Sequence, residues 1–267
     1  MPYLFSFNSM KTNAKKIVVF DMDQTLGCFI EIGMFWEALN NITVCDDVHF
    51  FDIIDLFQEF LRPKILTLLK KILDKKANGK CSKILIYTNN NGPSSWTHLI
   101  ADYFEYKLGE PVFDVITAFK PEKGCEMCRT SEDKNIPDLI RCAKCDSDSK
   151  FCFFDDQFHP LMKDSNVYYV KVKPFTHSIP YKSMVEKYSK KYIKFEDREE
   201  IVDYIIYYMN KFDYIVNIKT KAETVVDEAV SKQMFLHIDK FFEESNKSKT
   251  LNKRRRANKK TIKHYRL

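Results

Sequence analysis

Three short apolar runs, Ile17-Val18-Val19-Phe20, Ile84-Leu85-Ile86-Tyr87 and Phe151-Cys152-Phe153-Phe154, each stop abruptly at a polar cluster. None alternates apolar with polar residues, so each reads as a strand buried on both faces, the signature of a parallel sheet. Val112–Thr117 and Val167–Val172 add two further strands. Between them lie amphipathic segments around Glu31–Asn40 and from about Asp55 to Lys76, and one after Ser94 or Ser95 that carries Trp96, Leu99, Ile100 and Phe104. Arg62-Pro63 marks a break or a first helical turn, and Asn78-Gly79 an end. Strands alternating with helices predict an α/β fold: a doubly wound parallel sheet with helices on both faces. In such sheets ligands bind beyond the carboxyl ends of the strands.

The polar clusters stand at those ends. Asp21/Asp23, Thr88/Asn89 and Asp155/Asp156 each directly follow an apolar run, so three strand ends aim chemistry at one rim. Two carboxylates at i and i+2 on a turning chain can both face a crevice. One can attack phosphorus and form an aspartyl-phosphate, splitting a hard displacement into two easier ones. The other can protonate the leaving oxygen and later activate water. Anionic attacker and anionic substrate repel each other, so a hard cation is required, and Mg²⁺ suits carboxylate, phosphate and water oxygens.

These residues resemble the motifs of haloacid-dehalogenase (HAD) superfamily phosphatases. Asp21-Met22-Asp23-Gln24-Thr25 resembles the D-x-D-x-T signature, Ile84–Thr88 the strand ending in Thr or Ser, and Phe153-Phe154-Asp155-Asp156 the strand ending in acids. They occur in family order and cover roughly residues 15–172. The resemblance implies Asp21 as nucleophile and metal ligand, and Asp23 as acid/base with its carbonyl on the metal. It implies Thr88, with Asn89 beside it, for phosphate, and Asp155 and Asp156 for Mg²⁺. The lysine that completes charge neutralisation is Lys134, favoured by its spacing and a following helix at Ile136–Cys142, or Lys120. Arg62-Pro63, Asp155-Asp156-Gln157 and Lys173-Pro174-Phe175 are similar to the branch containing phosphatases of the RNA polymerase II C-terminal domain (the NLI-interacting-factor-like branch). Gln24 stands where that branch usually has Glu. The implied substrate is a phosphoserine or phosphothreonine protein. The rivals are a phosphatase of nucleotides or nucleic-acid ends, and a non-catalytic adaptor binding phosphoprotein or nucleic acid on the same scaffold.

The remaining organisation is an N-terminal extension (1–14), a phosphatase core (15–180) with a polar insert (120–150), a helical region (181–245) and a disordered basic tail (246–267). The net charge of +6 conceals a division. Ten Lys/Arg and no Asp/Glu lie in 246–267, leaving residues 1–245 at −4. Such a tail suits nucleic acid or another polyanion, or nuclear import. In the insert, Cys125-x2-Cys128 and Cys142-x2-Cys145 have the spacing of a four-thiolate structural Zn²⁺ site. That use of thiols predicts a reducing, intracellular setting. No cysteine has an arginine six residues on, against cysteine-nucleophile phosphatase chemistry. A hydrophobic content of 45% excludes global disorder. No apolar run approaches the ~18 residues of a membrane span, and Tyr3–Phe7 is too short for a signal-peptide core. The histidines lack metal-ligand spacing, and His159 reads as a loop residue near the acids.

Overall fold

The computed structural model describes residues 14–42, 47–90, 92–118, 128–193 and 198–263. Five strands, β1 (Lys16–Phe20), β2 (Lys83–Tyr87), β3 (Val115–Thr117), β4 (Lys150–Asp155) and β5 (Val167–Lys171), form one all-parallel sheet in the order β3-β2-β1-β4-β5. The predicted strands are all present, the third shorter than its apolar run. The helices are α1 (Ile30–Asn40), α2 (Asp47–Leu56), α3 (Ile65–Ala77), α4 (Ser94–Leu108), α5 (Ile136–Ala143), α6 (Tyr181–Tyr192), α7 (Arg198–Asn210) and α8 (Lys221–Lys263).

Strand residues divide by parity. Val18, Phe20, Ile84, Ile86, Cys152 and Phe154 face one core; Ile17, Val19, Leu85, Tyr87, Phe151 and Phe153 face the other. That is the period-two geometry of a pleated strand with both faces covered. The first core is the larger and takes in α1, α3, α4 and the C-terminal helices, where Met184, Ile205, Met209, Met234 and Ile238 are buried. The second face is closed by α5, through Leu139, Cys142 and Ala143, and by Met162 of a short 3-10 turn at Pro160–Met162.

Two expectations change, those for the polar insert and the basic tail. The polar insert is not a mere decoration, because its described part, from residue 128 on, supplies the helix that seals one side of the sheet. The Asp55–Lys76 segment is broken at Arg62-Pro63, one of the two expected readings: α2 and a 3-10 turn at Gln58–Phe60 come before it and α3 after it, with Lys64 in the left-handed region (φ 64°). The basic tail was expected to be disordered, yet the backbone of α8 stays helical to Lys263. Residues 246–263 contain neither Gly nor Pro, and half of them are Lys or Arg, both good helix formers. At α4, Pro93 takes the N-cap position.

Candidate active site

Because β1 pairs with β4 in register Phe20↔Phe154, the residues following each strand become neighbours. The Asp21 N–H donates to the Phe154 carbonyl (2.9 Å), setting Asp21 beside Asp155. The chain then turns sharply: Leu26 N–H returns to Met22 O (2.9 Å), Gln24 N–H to Gly27 O (2.7 Å), and Gln24 adopts φ 59°. Gly27 is required here, since a Cβ would lie 2.5 Å from Phe29 Cζ and 2.8 Å from the Phe60 carbonyl.

Arg62 clamps this turn. It is 1% exposed. Its Nε donates to Thr25 O (2.6 Å), and its Nη2 to Gln24 O (2.6 Å) and to Lys173 O beyond β5 (2.9 Å). Phe175 lies against the guanidinium at 5.5 Å. Burial pushes the group down to about 10, the carboxylates of Asp227 and Asp156 acting the other way, so it remains a cation at neutral pH. Lysine cannot reproduce a planar fork. Arg62→Lys is therefore expected to lose about 2–4 kcal/mol in urea unfolding, through unsatisfied buried carbonyls and lost packing. An unchanged midpoint would show that the turn holds its shape without the clamp.

Lys134 enters from the opposite direction. Its Nζ donates to Asp21 Oδ1 (2.6 Å) and to Asp155 Oδ2 (2.7 Å), with the side chain 2% exposed. Its place is set by the start of α5, where Asn135 caps the helix by accepting from Asp138 N–H (2.9 Å). Asp138 in turn accepts from Thr130 N–H (2.8 Å) and from Asn135 Nδ2 (2.9 Å). Burial would raise the Asp138 carboxyl, but these hydrogen bonds, with Arg141 alongside, hold it low. Of the two lysines expected from spacing, Lys134 is the one at the carboxylates; Lys120 lies outside the described residues.

The end of β2 completes the rim. Thr88 is buried, and its N–H donates to Thr117 O (2.9 Å). Thr88 Oγ1 accepts from Asn90 N–H (3.2 Å), and Asn90 Nδ2 donates to Asp23 Oδ2 (2.8 Å). Asn90 Oδ1 accepts from Gly92 N–H (2.8 Å), an Asx turn that fixes the amide's orientation. Arg129 supports the strand end from beneath, donating through Nη1 to Thr88 O (2.9 Å) and stacking over Tyr87 at 4.7 Å. After β4, Asp155 Oδ1 accepts from Gln157 N–H (2.8 Å), and His159 Nε2 stands 3.3 Å from Asp155 Oδ2.

Asp21, Asp23, Thr88, Asp155 and Asp156 thus follow the carboxyl ends of β1, β2 and β4, and Lys134 joins Asp21 and Asp155 from the residues before α5. Asn89 is exposed and has no described contact with the carboxylates; Asn90 makes the contact instead. Asn90, Arg129 and the clamp role of Arg62 went unread in the sequence. The run Asn89-Asn90-Asn91 signals an Asx turn, but spacing does not say which amide turns inward.

The electrostatics follow from four acids around one lysine. Burial raises the Asp21 carboxyl, with Lys134 opposing and Asp155 adding to the rise. Asp23 is pushed up to about 6, chiefly by burial and against the Asn90 hydrogen bond. Asp156 is also pushed up to about 6, by burial and then by Asp21 and Asp155. Asp155 moves the other way: burial raises it, but hydrogen bonds from His159, Lys134 and the Gln157 N–H together outweigh burial. Asp21, Asp155 and Asp156 each place an oxygen within 4.8 Å of the others'. Three convergent buried carboxylates form a donor set for a hard cation, which would relieve their repulsion.

The four-thiolate Zn²⁺ site requires correction. Cys128 and Cys142 are joined in a disulfide, Cα atoms 5.0 Å apart, so neither sulfur is a thiolate ligand. The last turn of α5 lies against residue 128, as the hydrogen bond from Arg141 Nε to Cys128 O (2.6 Å) records. Cys145 is a free thiol and Cys125 lies outside the described residues. Comparison of the chain with protein-family models, with curated proteins and with solved structures finds no match.

Proposed function

We propose that this protein is a Mg²⁺-dependent phosphomonoester hydrolase of the HAD type, acting on phosphoserine or phosphothreonine in a protein. The observation that carries the reading is the Lys134 ammonium held between Asp21 and Asp155, with Asp156 beside them and Asp23 on the adjoining turn. This arrangement supplies an attacking carboxylate, a cation for phosphoryl oxygens, a metal seat and a separate proton carrier.

Asp21 is the nucleophile. Its carboxylate oxygen forms a bond to phosphorus as the bond to the leaving oxygen breaks, giving an aspartyl-phosphate. Asp23 gives its proton to the leaving oxygen. A carboxyl raised to about 6 suits this, being protonated far more often than an ordinary aspartate and still able to act as a base. In the second half, Asp23 takes a proton from water, whose oxygen attacks phosphorus; phosphate leaves and the Asp21 carboxylate is restored. Lys134 balances the phosphoryl charge, and Thr88 Oγ1 with neighbouring N–H groups binds its oxygens. Asn90 holds Asp23 toward the reacting group. Mg²⁺, held by Asp21, Asp155 and Asp156 and by the Asp23 carbonyl, would neutralise charge between the acids and the substrate. The all-oxygen donor set fits that ion.

The test is release of phosphate from acetyl phosphate and a small aryl phosphate, with Mg²⁺ and with chelator. Turnover is expected only with metal, with a transient phosphoryl adduct on the peptide containing Asp21. Undiminished turnover in chelator would sink the reading. In this proposal residues 246–267 form a secondary contact for polyanions, with nuclear import as one use; an intracellular setting then rests on that tail, since the Cys128–Cys142 disulfide removes the thiol-based argument for a reducing compartment.

A further inference from the structure

From the proposed role of Asp23, we infer that the groove beside it receives the polypeptide that carries the phosphate, and that this polypeptide has an apolar and a basic residue next to the phosphorylated one. The inference rests on the phosphatase reading and specifies its substrate. An acid that protonates the leaving oxygen must face the leaving group, so whatever is attached to that oxygen lies on the Asp23 side. A groove of about 870 Å³ opens there between α1 and α4, with Asp23 and its partner Asn90 in its wall. The volume is well beyond what a seryl or threonyl side chain fills, leaving room for neighbouring residues.

The lining determines which neighbours fit. One wall is aromatic: Trp36 and Trp96 pack edge-on against the fully buried Phe50 between them, at 5.2 and 5.3 Å. Phe50 backs both indoles from behind. Gly33 shapes the floor, because a Cβ there would sit 3.3 Å from Trp96 Cζ2 and press on the indole. An apolar side chain gains by burial on this surface, and a cation gains by lying on an indole face.

The charge pattern selects further. Asp23, Glu37 and Asp102 line the groove together with His98, and among the described residues no Lys or Arg does. A polynucleotide brings one phosphate charge per residue and needs lysines or arginines along its path. Here it meets carboxylates. A basic residue meets the complementary sign, and the −4 balance of residues 1–245 reinforces that field. The polymer substrate that fits is therefore a basic, apolar phosphopeptide and not a nucleic-acid end.

The test uses the full chain with Mg²⁺. It compares kcat/KM for two phosphoserine peptides that differ only in their flanks, Arg and Leu against Glu and Ser, and for a 5′-phosphorylated oligonucleotide. Acetyl phosphate, whose leaving group is too small to occupy the groove, is the reference. The basic, apolar peptide is expected to be preferred about tenfold or more over the acidic one. Glu37→Lys, at an exposed position of α1, should shrink that preference severalfold while leaving acetyl phosphate turnover unchanged. Equal kcat/KM for the two peptides, faster turnover of the oligonucleotide, or acetyl phosphate turnover with no peptide turnover would each overturn the inference alone. Absence of Asp21-dependent turnover even of acetyl phosphate would overturn the phosphatase reading and the inference with it.

Discussion

Asp21→Asn is expected to reduce phosphate release by roughly 10⁴-fold or more, the scale on which an enzyme loses its nucleophile. The substitution is nearly isosteric, and its amide oxygen can still accept from Lys134, so the surrounding geometry is retained. What disappears is the anionic attacker. Stability should hold or rise. The native Asp21 carboxyl is raised, burial and the nearby Asp155 both opposing its ionisation, which means its charged form is a burden on the fold. A neutral amide removes that burden, and the thermal midpoint without metal should not fall by more than a few degrees. Phosphate release by the variant at an appreciable fraction of the native rate would remove Asp21 from the nucleophile's role.

Lys134→Met should be almost as damaging to turnover, by about 10³-fold, and unlike the first change it should damage the fold. The native ammonium is 2% exposed and bonds two carboxylates at 2.6 and 2.7 Å. Methionine fills comparable space but leaves buried acids without their cation, a loss of about 3–5 kcal/mol. The sign with pH is definite. Without the ammonium, the folded-state pKa values of Asp21 and Asp155 rise, and those of Asp23 and Asp156 already stand near 6. Carboxyls raised above their unfolded values, near 3.8, favour the fold while protonated and lose that contribution as pH climbs through the folded values. The deficit relative to native protein should thus be largest at pH 7–8 and shrink toward pH 5. Urea unfolding of both proteins at pH 5 and 7.5 checks this, and a deficit independent of pH would mean that packing, not charge, makes Lys134 important.

The carboxylates of the candidate site were legible in the sequence because they stand at strand ends, and strand ends are sharp. Ile17–Phe20 followed by Asp21, and Phe153-Phe154 followed by Asp155, can be read directly, since buried parallel strands tolerate no polar interruption. Lys134 was harder. It lies on no strand, and only the helix start at Asn135 sets its position. Asn90 and Arg62 were harder still, because their roles depend on where a side chain turns, toward Asp23 Oδ2 in one case and toward the Thr25 and Gln24 carbonyls in the other. The cysteine spacing misled for a related reason. C-x-x-C pairs record proximity along the chain, whereas the pairing of Cys128 with Cys142 depends on how α5 packs. The tail misled because charge density was taken for disorder, whereas Lys and Arg are themselves good helix formers.

The strand order places the earliest strand at the centre, and this bears on how the molecule is made. Strand β1 hydrogen-bonds to residues 83–87 on one edge and 150–155 on the other, so neither partner is a sequence neighbour. Such distant parallel pairings carry a large loop-closure cost and form slowly. Until Lys150–Asp155 has been synthesised, Lys16–Phe20 has one edge without its native partner, and Asp21 lacks the acid it will stand beside. Chain growth therefore withholds the candidate site until residue 155 has been made. During that interval the hydrophobic strand Ile17–Phe20 is the segment a chaperone would most usefully cover.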